Sequence, residues 1–137
     1  MTALAPEVLT GHVIVADGDP AVVTFVMQTL RNDGHTVFHA YDGLSAVELA
    51  FALDRCHLVI SNTNVDGVAG LELVRQLRHQ QPTLPILYLA TVEGSTPDIE
   101  SRLPPNVPIL REPFTADALR AVVGALLKVQ ADGGREG

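Results

Sequence analysis

His57-Leu58-Val59-Ile60-Ser61-Asn62-Thr63-Asn64 is a short apolar run that breaks off into small polar residues. Its brevity, the β-branched Val59 and Ile60, and the glycine-bearing loop beyond it predict a strand buried on both faces of a parallel sheet. The polar end then lies at the carboxyl edge of the sheet, where ligands and chemistry collect in open α/β folds. Asn62 stands at that edge, and an amide is a poor nucleophile.

Upstream, Val13-Ile14-Val15-Ala16 predicts a buried strand ending in Asp17-Gly18-Asp19-Pro20, with Asp19 as N-cap and Pro20 as the first helical residue. Val22, Val23, Val26, Met27 and Leu30 follow at helical spacing until Asn32-Asp33-Gly34. Thr36 to Tyr41 alternates as a second strand, and Asp42-Gly43 opens a helix containing Ala46, Val47, Leu49, Ala50 and Leu53. Downstream, the loop after the quoted strand ends at Gly70, and Leu71 to Arg78 is amphipathic. Pro82 and Pro85 mark the exit from that helix, and Ile86-Leu87-Tyr88-Leu89-Ala90 is the fourth strand. Ser95-Thr96-Pro97-Asp98 caps a short helix that must finish before Pro104-Pro105. Val107 to Leu110 predicts a fifth strand, and Thr115 caps a last helix with Leu119, Val122, Val123, Leu126 and Leu127 on one side. The expected layout is a lead-in over 1–11, whose Val8 and Leu9 are candidates to pack on the domain edge, one domain over 12–129, and a flexible polar tail over 130–137.

Five strands alternating with five helices imply an α/β fold with a parallel sheet covered on both faces. Right-handed crossovers and the small size select a doubly wound, flavodoxin-like sheet with strand order 2-1-3-4-5. The carboxyl ends of the first, third, fourth and fifth strands then converge, bringing together Asp17, Asn62, Ala90 or Thr91, and Glu112.

The chain's 137 residues suffice for one domain with a real core, and 47% hydrophobic with 18% charged content fits a compact fold. A net charge of −7 argues against a nucleic-acid or anionic-membrane surface, which needs clustered Lys and Arg. Cys56 is the single cysteine, so no internal disulfide forms, and beside an apolar strand it reads as a small core residue rather than a reactive thiol. No apolar run approaches the length of a membrane span, and Met1 to Glu7 lacks the features of a signal peptide. The expected location is cytoplasmic. His35 and His39 are four apart but flank a strand, with no third ligand nearby, and His57 and His79 read as structural or surface residues. No nucleophile motif or Walker-type phosphate loop is present, so the chain is not expected to be an enzyme.

From about Val13 to Leu127 the chain resembles the receiver domain of two-component response regulators, with the CheY-like fold. The matching pieces are Val13 to Pro20, Tyr41-Asp42-Gly43 with Ala46, Leu58 to Asn62, Gly70 to Leu73 with Leu77-Arg78, Leu84-Pro85-Ile86, and Pro113-Phe114. Each piece is weak alone, and their order and spacing carry the match. The resemblance implies phosphoryl transfer from a histidine kinase to an aspartate with the help of Mg²⁺. Carried across position by position, the acceptor aspartate aligns with Asn62 and the family's acidic pair with Asp17 and Gly18. The hydroxyl residue after the fourth strand aligns with Ala90, with Thr91 adjacent but pointing elsewhere. The lysine before Pro-Phe aligns with Glu112, whose charge repels phosphate, and the aromatic switch position aligns with Ile109. Arg111, beside Glu112, is expected to face away.

The expectation is a degenerate pseudo-receiver that keeps the fold and has lost phosphotransfer, with Mg²⁺ binding lost or weak. Asp17 is at most a residual metal ligand and more simply a carboxylate bonded to its loop backbone. A cation site joining Asp17 to Glu112, or to Asp66, is a lesser reading, as is an unconventional acceptor at Thr63 or Ser61. The output is then protein contact, with a histidine kinase, another signalling protein or a second copy as a homodimer, through the fourth helix, fifth strand and fifth helix. The alternative is a small-molecule or cation sensor in the emptied pocket, lined by Asp17, Asn62, Thr91 and Glu112. Neither nucleic acid nor membrane is an expected partner.

Overall fold

The structure is a computed structural model that describes residues 10–40, 42–53, 56–62, 69–91 and 97–136. Strands and helices alternate throughout: β1 (His12–Ala16), α1 (Pro20–Asn32), β2 (Thr36–Ala40), α2 (Gly43–Ala52) and β3 (Leu58–Asn62). They continue with α3 (Ala69–Gln80), β4 (Ile86–Ala90), α4 (Pro97–Ser101), β5 (Ile109–Arg111) and α5 (Ala116–Glu136). The five strands form one parallel sheet in the order β2-β1-β3-β4-β5, as expected. Val13 pairs with Leu58, Asn62 with Leu89, and Ala90 with Arg111.

The two-residue period of the strands divides the apolar side chains between two cores. Ile14, Val59, Ile86 and Tyr88 pack with Ala46 and Ala50 of α2 and with Leu73, Val74 and Leu77 of α3. Val13, Val15, Leu58, Ile60, Leu87 and Leu89 pack with Val26 and Leu30 of α1 and with Leu119, Val123 and Leu127 of α5. Each such side chain contributes roughly 1.5–3 kcal/mol when fully buried, and slipping β3 by one residue would move its whole set to the wrong face. The register of β3 therefore fixes which face Asn62 takes, that of Leu58 and Ile60.

The caps expected at Asp19 and Thr115 form, and Asp42 caps α2 as well. Asp19 accepts from Ala21 N at 3.0 Å and Thr115 Oγ1 from Ala118 N at 3.0 Å. Asp42 Oδ1 accepts from Ser45 N at 2.8 Å, and this bond holds the Asp42 carboxyl below its usual pKa.

Several boundaries differ from the sequence reading: β3 starts at Leu58 rather than His57, α3 spans Ala69–Gln80 rather than Leu71 to Arg78, and α2 ends at Ala52, short of Leu53. β1 begins at His12 rather than Val13. β5 runs from Ile109 to Arg111 rather than from Val107 to Leu110, because Asn106 takes a left-handed turn with φ of 64° and Pro108 has no N–H to give to a ladder. α5 continues to Glu136, past the boundary placed at 129 and into the stretch read as a flexible tail. Once a helix is nucleated each further residue adds a hydrogen bond, and composition alone undervalues that. The expectations for Val8, Leu9, Tyr41, Thr63, Asp66, Ser95 and Thr96 lie outside the described residues.

Candidate functional site

β1, β3, β4 and β5 end side by side, and their last residues meet at the carboxyl edge of the sheet. Asp17 follows β1 and is fully buried. Its Oδ1 accepts from Asp19 N at 2.8 Å, while its Oδ2 finds no hydrogen-bond partner among the described residues. Burial is the main cause that raises its pKa from 3.8 to about 6. The Asp19 N–H opposes that rise, the charges of Asp19 and Glu112 reinforce it, and the Asn62 amide lowers it slightly.

Asn62 closes β3 and is fully buried as well. Its Nδ2 donates to Glu112 Oε2 at 3.0 Å. Glu112 is brought there by a backbone bond from its N–H to Ala90 O at 2.9 Å, which extends the β4–β5 pairing by one residue. The Asn62–Glu112 bond thus crosses the end of β4. The peptide that follows Glu112, to Pro113, is cis.

The remaining sequence-predicted positions lie around this pair. Gly18 is exposed and offers no side chain. Ala90 is buried, with its methyl in the core shared with α2 and α3, and Thr91 lies just past the strand, partly buried. Ile109 packs against that same core. Arg111 faces away, as expected, in a double hydrogen bond to the Glu100 carboxylate of α4. Ser61 Oγ is buried without a hydrogen-bond partner among the described residues.

Sequence reasoning missed two contacts here. His39 donates from Nε2 to the Asp17 carbonyl at 2.9 Å, so β2 also supports the pocket. The Arg111–Glu100 pair joins residues on separate elements, and no periodicity signals it. Three of the other histidines, His12, His35 and His57, lie at the opposite, amino-terminal edge of the sheet. His35 Nδ1 accepts from Gly11 N at 3.2 Å and His57 Nδ1 from His12 N at 2.9 Å. The His12 ring stacks between His57 and Phe38 at 5.6 and 6.2 Å. No group of three or more His, Cys, Asp or Glu that could hold a metal ion occurs among the described residues. Burial pushes the Cys56 thiol up to about 11, which leaves it protonated and unreactive at neutral pH.

The family model for the response regulator receiver domain matches residues 13–123. This chain belongs to that family. The receiver is 32% identical over 117 residues to the response regulator MprA of Mycobacterium ulcerans, covering 85% of this chain and 50% of the relative. It is 27% identical over 121 residues to the transcriptional regulatory protein GlrR of Escherichia coli, covering 88% of this chain and 27% of the relative. The receiver therefore spans half or less of the length of these curated relatives. Among solved structures it superposes on the receiver domain of NtrX from Brucella abortus with a TM-score of 0.74 at 23% identity, covering 85% of this chain and 98% of that one. The Vibrio cholerae chemotaxis protein CheY4 gives a TM-score of 0.74 at 26% identity, with the same two coverages.

The receiver family implies a resident Mg²⁺ at this edge, and the residues described do not suit it. Mg²⁺ asks for near-octahedral oxygen donors, usually with more than one carboxylate among protein and substrate. Here Gly18 supplies none, Glu112 Oε2 is engaged by the Asn62 amide, and Asp17 contributes one bare buried carboxylate oxygen. No helix among the described residues is long and apolar enough to cross a membrane.

Proposed function

We propose that this receiver signals without phosphoryl transfer, as a contact module rather than an enzyme, with Asn62 standing where the acceptor aspartate of the family would be. The observation that carries the reading is the 3.0 Å bond from Asn62 Nδ2 to Glu112 Oε2. It fills the acceptor position with an amide, whose oxygen is too weak a nucleophile to form an acyl phosphate. It also sets a carboxylate where an incoming phosphoryl group needs a cation. Mg²⁺ binding is lost or weak in this reading, for lack of the donors just described. The output is binding to a protein, a histidine kinase, another signalling protein or a second copy, in the cytoplasm, through the face of α4, β5 and α5. Arg111 and Glu100 tie α4 to β5 on that face, which favours one fixed surface over a switching one.

The test is incubation with acetyl phosphate and Mg²⁺, followed by intact-mass measurement. The expected result is the unmodified mass, and a stoichiometric phosphoryl adduct refutes the reading.

A second reading, a sensor for a cation or a hydroxyl-bearing small molecule, draws support from the bare Asp17 Oδ2 buried at the carboxyl edge of the sheet. A thermal-shift screen separates the two. Saturable stabilisation that is lost in Asp17→Asn supports the sensor.

A further inference from the structure

The largest exposed apolar side chains among the described residues do not lie on the α4–β5–α5 face. Phe51 is 80% exposed and Leu44 69%, and both belong to α2. The third, Phe25 of α1, is already covered in part by Phe114 at a ring distance of 5.8 Å. Leu44, Glu48 and Phe51 follow one another at four and three residues, so they form a single stripe along α2 with the carboxylate in the middle. Beside the stripe runs a groove of about 360 Å³, lined by Ser45, Glu48, Leu49 and Ala52 of α2 and by His39 and Ala40 of β2. β2 is an edge strand, so the groove opens along the rim of the sheet. An exposed aromatic beside an apolar groove with a charged rim has the make-up of a protein-contact site.

The charge pattern selects the occupant. Were a second copy to lie antiparallel on this stripe, each Leu44 would meet a Phe51, and the two Glu48 carboxylates would face one another at the centre. Like charges in that position oppose association, and each chain already carries −7. We propose that the α2 stripe and its groove bind an amphipathic segment of another protein that presents two apolar residues about two helical turns apart, with a Lys or Arg between them. The apolar pair covers Leu44 and Phe51, and the cation pairs with Glu48. The floor of the groove reaches the site described above, because His39 holds the Asp17 carbonyl.

The probes are two synthetic helical peptides with the same leucine pair, one with a central arginine and one with a central glutamate, titrated into the ¹⁵N-labelled full chain. The arginine peptide is expected to shift the amides of α2 and β2, and to bind at least tenfold more weakly to Phe51→Ser. Glu48→Lys reverses the preference, so that the glutamate peptide binds better. Circular dichroism of both variants establishes that they fold. Absence of binding, equal binding of the two peptides, or shifts confined to α4, β5 and α5 overturn the proposal. So does a concentration-dependent dimer in sedimentation that Phe51→Ser abolishes, which assigns the stripe to a second copy.

Discussion

Asn62 Nδ2 and Glu112 Oε2 lie 3.0 Å apart across the end of β4, and the amide donates to the carboxylate. An aspartate at position 62 has no proton to give at neutral pH, and it adds a third acid to Asp17 and Glu112.

Asn62→Asp is therefore expected to lower stability at pH 7 by about 1–3 kcal/mol, the typical cost of losing a buried hydrogen bond to a charged group. Urea unfolding measures it. The same variant should gain little phosphoryl adduct from acetyl phosphate, whereas adding Glu112→Lys and Gly18→Asp should increase the yield. Efficient labelling of the single variant would show that Asn62 is the only obstacle.

Asp17 gives a pH dependence of definite sign. Its folded pKa of about 6 lies above the ordinary 3.8, so its contribution to stability is fully present below 3.8 and is lost as pH rises through about 6. The loss is on the order of 3 kcal/mol for a shift of this size. Asp17→Asn keeps an oxygen for the Asp19 N–H and removes the charge, so it should stabilise the protein above pH 6 and change little below pH 4. Equal effects at both ends of that range would mean that the buried carboxyl is not the cause.

At the other edge of the sheet the sign is reversed. His35 Nδ1 accepts from Gly11 N, which requires an unprotonated nitrogen, and burial lowers its pKa below 6.5. Its contribution is present above 6.5 and is lost as pH falls through the lower folded pKa. Hydrogen exchange should show protection of the Gly11 amide dropping on acidification more than that of Leu87 in β4, after correction for intrinsic rates. Parallel behaviour of the two amides would contradict this.

Arg78 of α3 donates to Pro105 O at 2.6 Å and to Asn106 O at 3.3 Å, fixing the turn before β5. Arg78→Met keeps much of the stem's packing and removes both bonds, and should cost about 1–3 kcal/mol. The melting temperature measures the loss, and faster exchange localised to residues 102–111 would assign it to the turn.

The fold was legible because its signals are local. Val13 to Ala16, Leu58 to Ser61 and Ile86 to Ala90 are short apolar runs between helical periodicities, and Asp19, Asp42 and Thr115 each cap the helix that follows. Convergence of Asp17, Asn62 and Glu112 followed from strand order alone. The internal bonding did not follow: the donation from the Asn62 amide to Glu112 depends on the Glu112 N–H pairing with Ala90 O, a contact between residues on different strands. His39 reaching Asp17 O, Arg78 reaching Pro105 and Asn106, and Arg111 joining Glu100 are likewise contacts of tertiary packing, invisible to periodicity. The start of β5 was misplaced for a backbone reason, the left-handed turn at Asn106, which asparagine tolerates without announcing it.

His12 to Ala16, only five residues long, follows a Gly11 amide held by a His35 nitrogen that must stay unprotonated, and leads at the other end into a carboxyl that prefers to stay protonated. Acid loosens the first anchor and base strains the second. The central strand is consequently tied to two protonation states of opposite demand, and acidification and alkalinisation each slacken it from a different end.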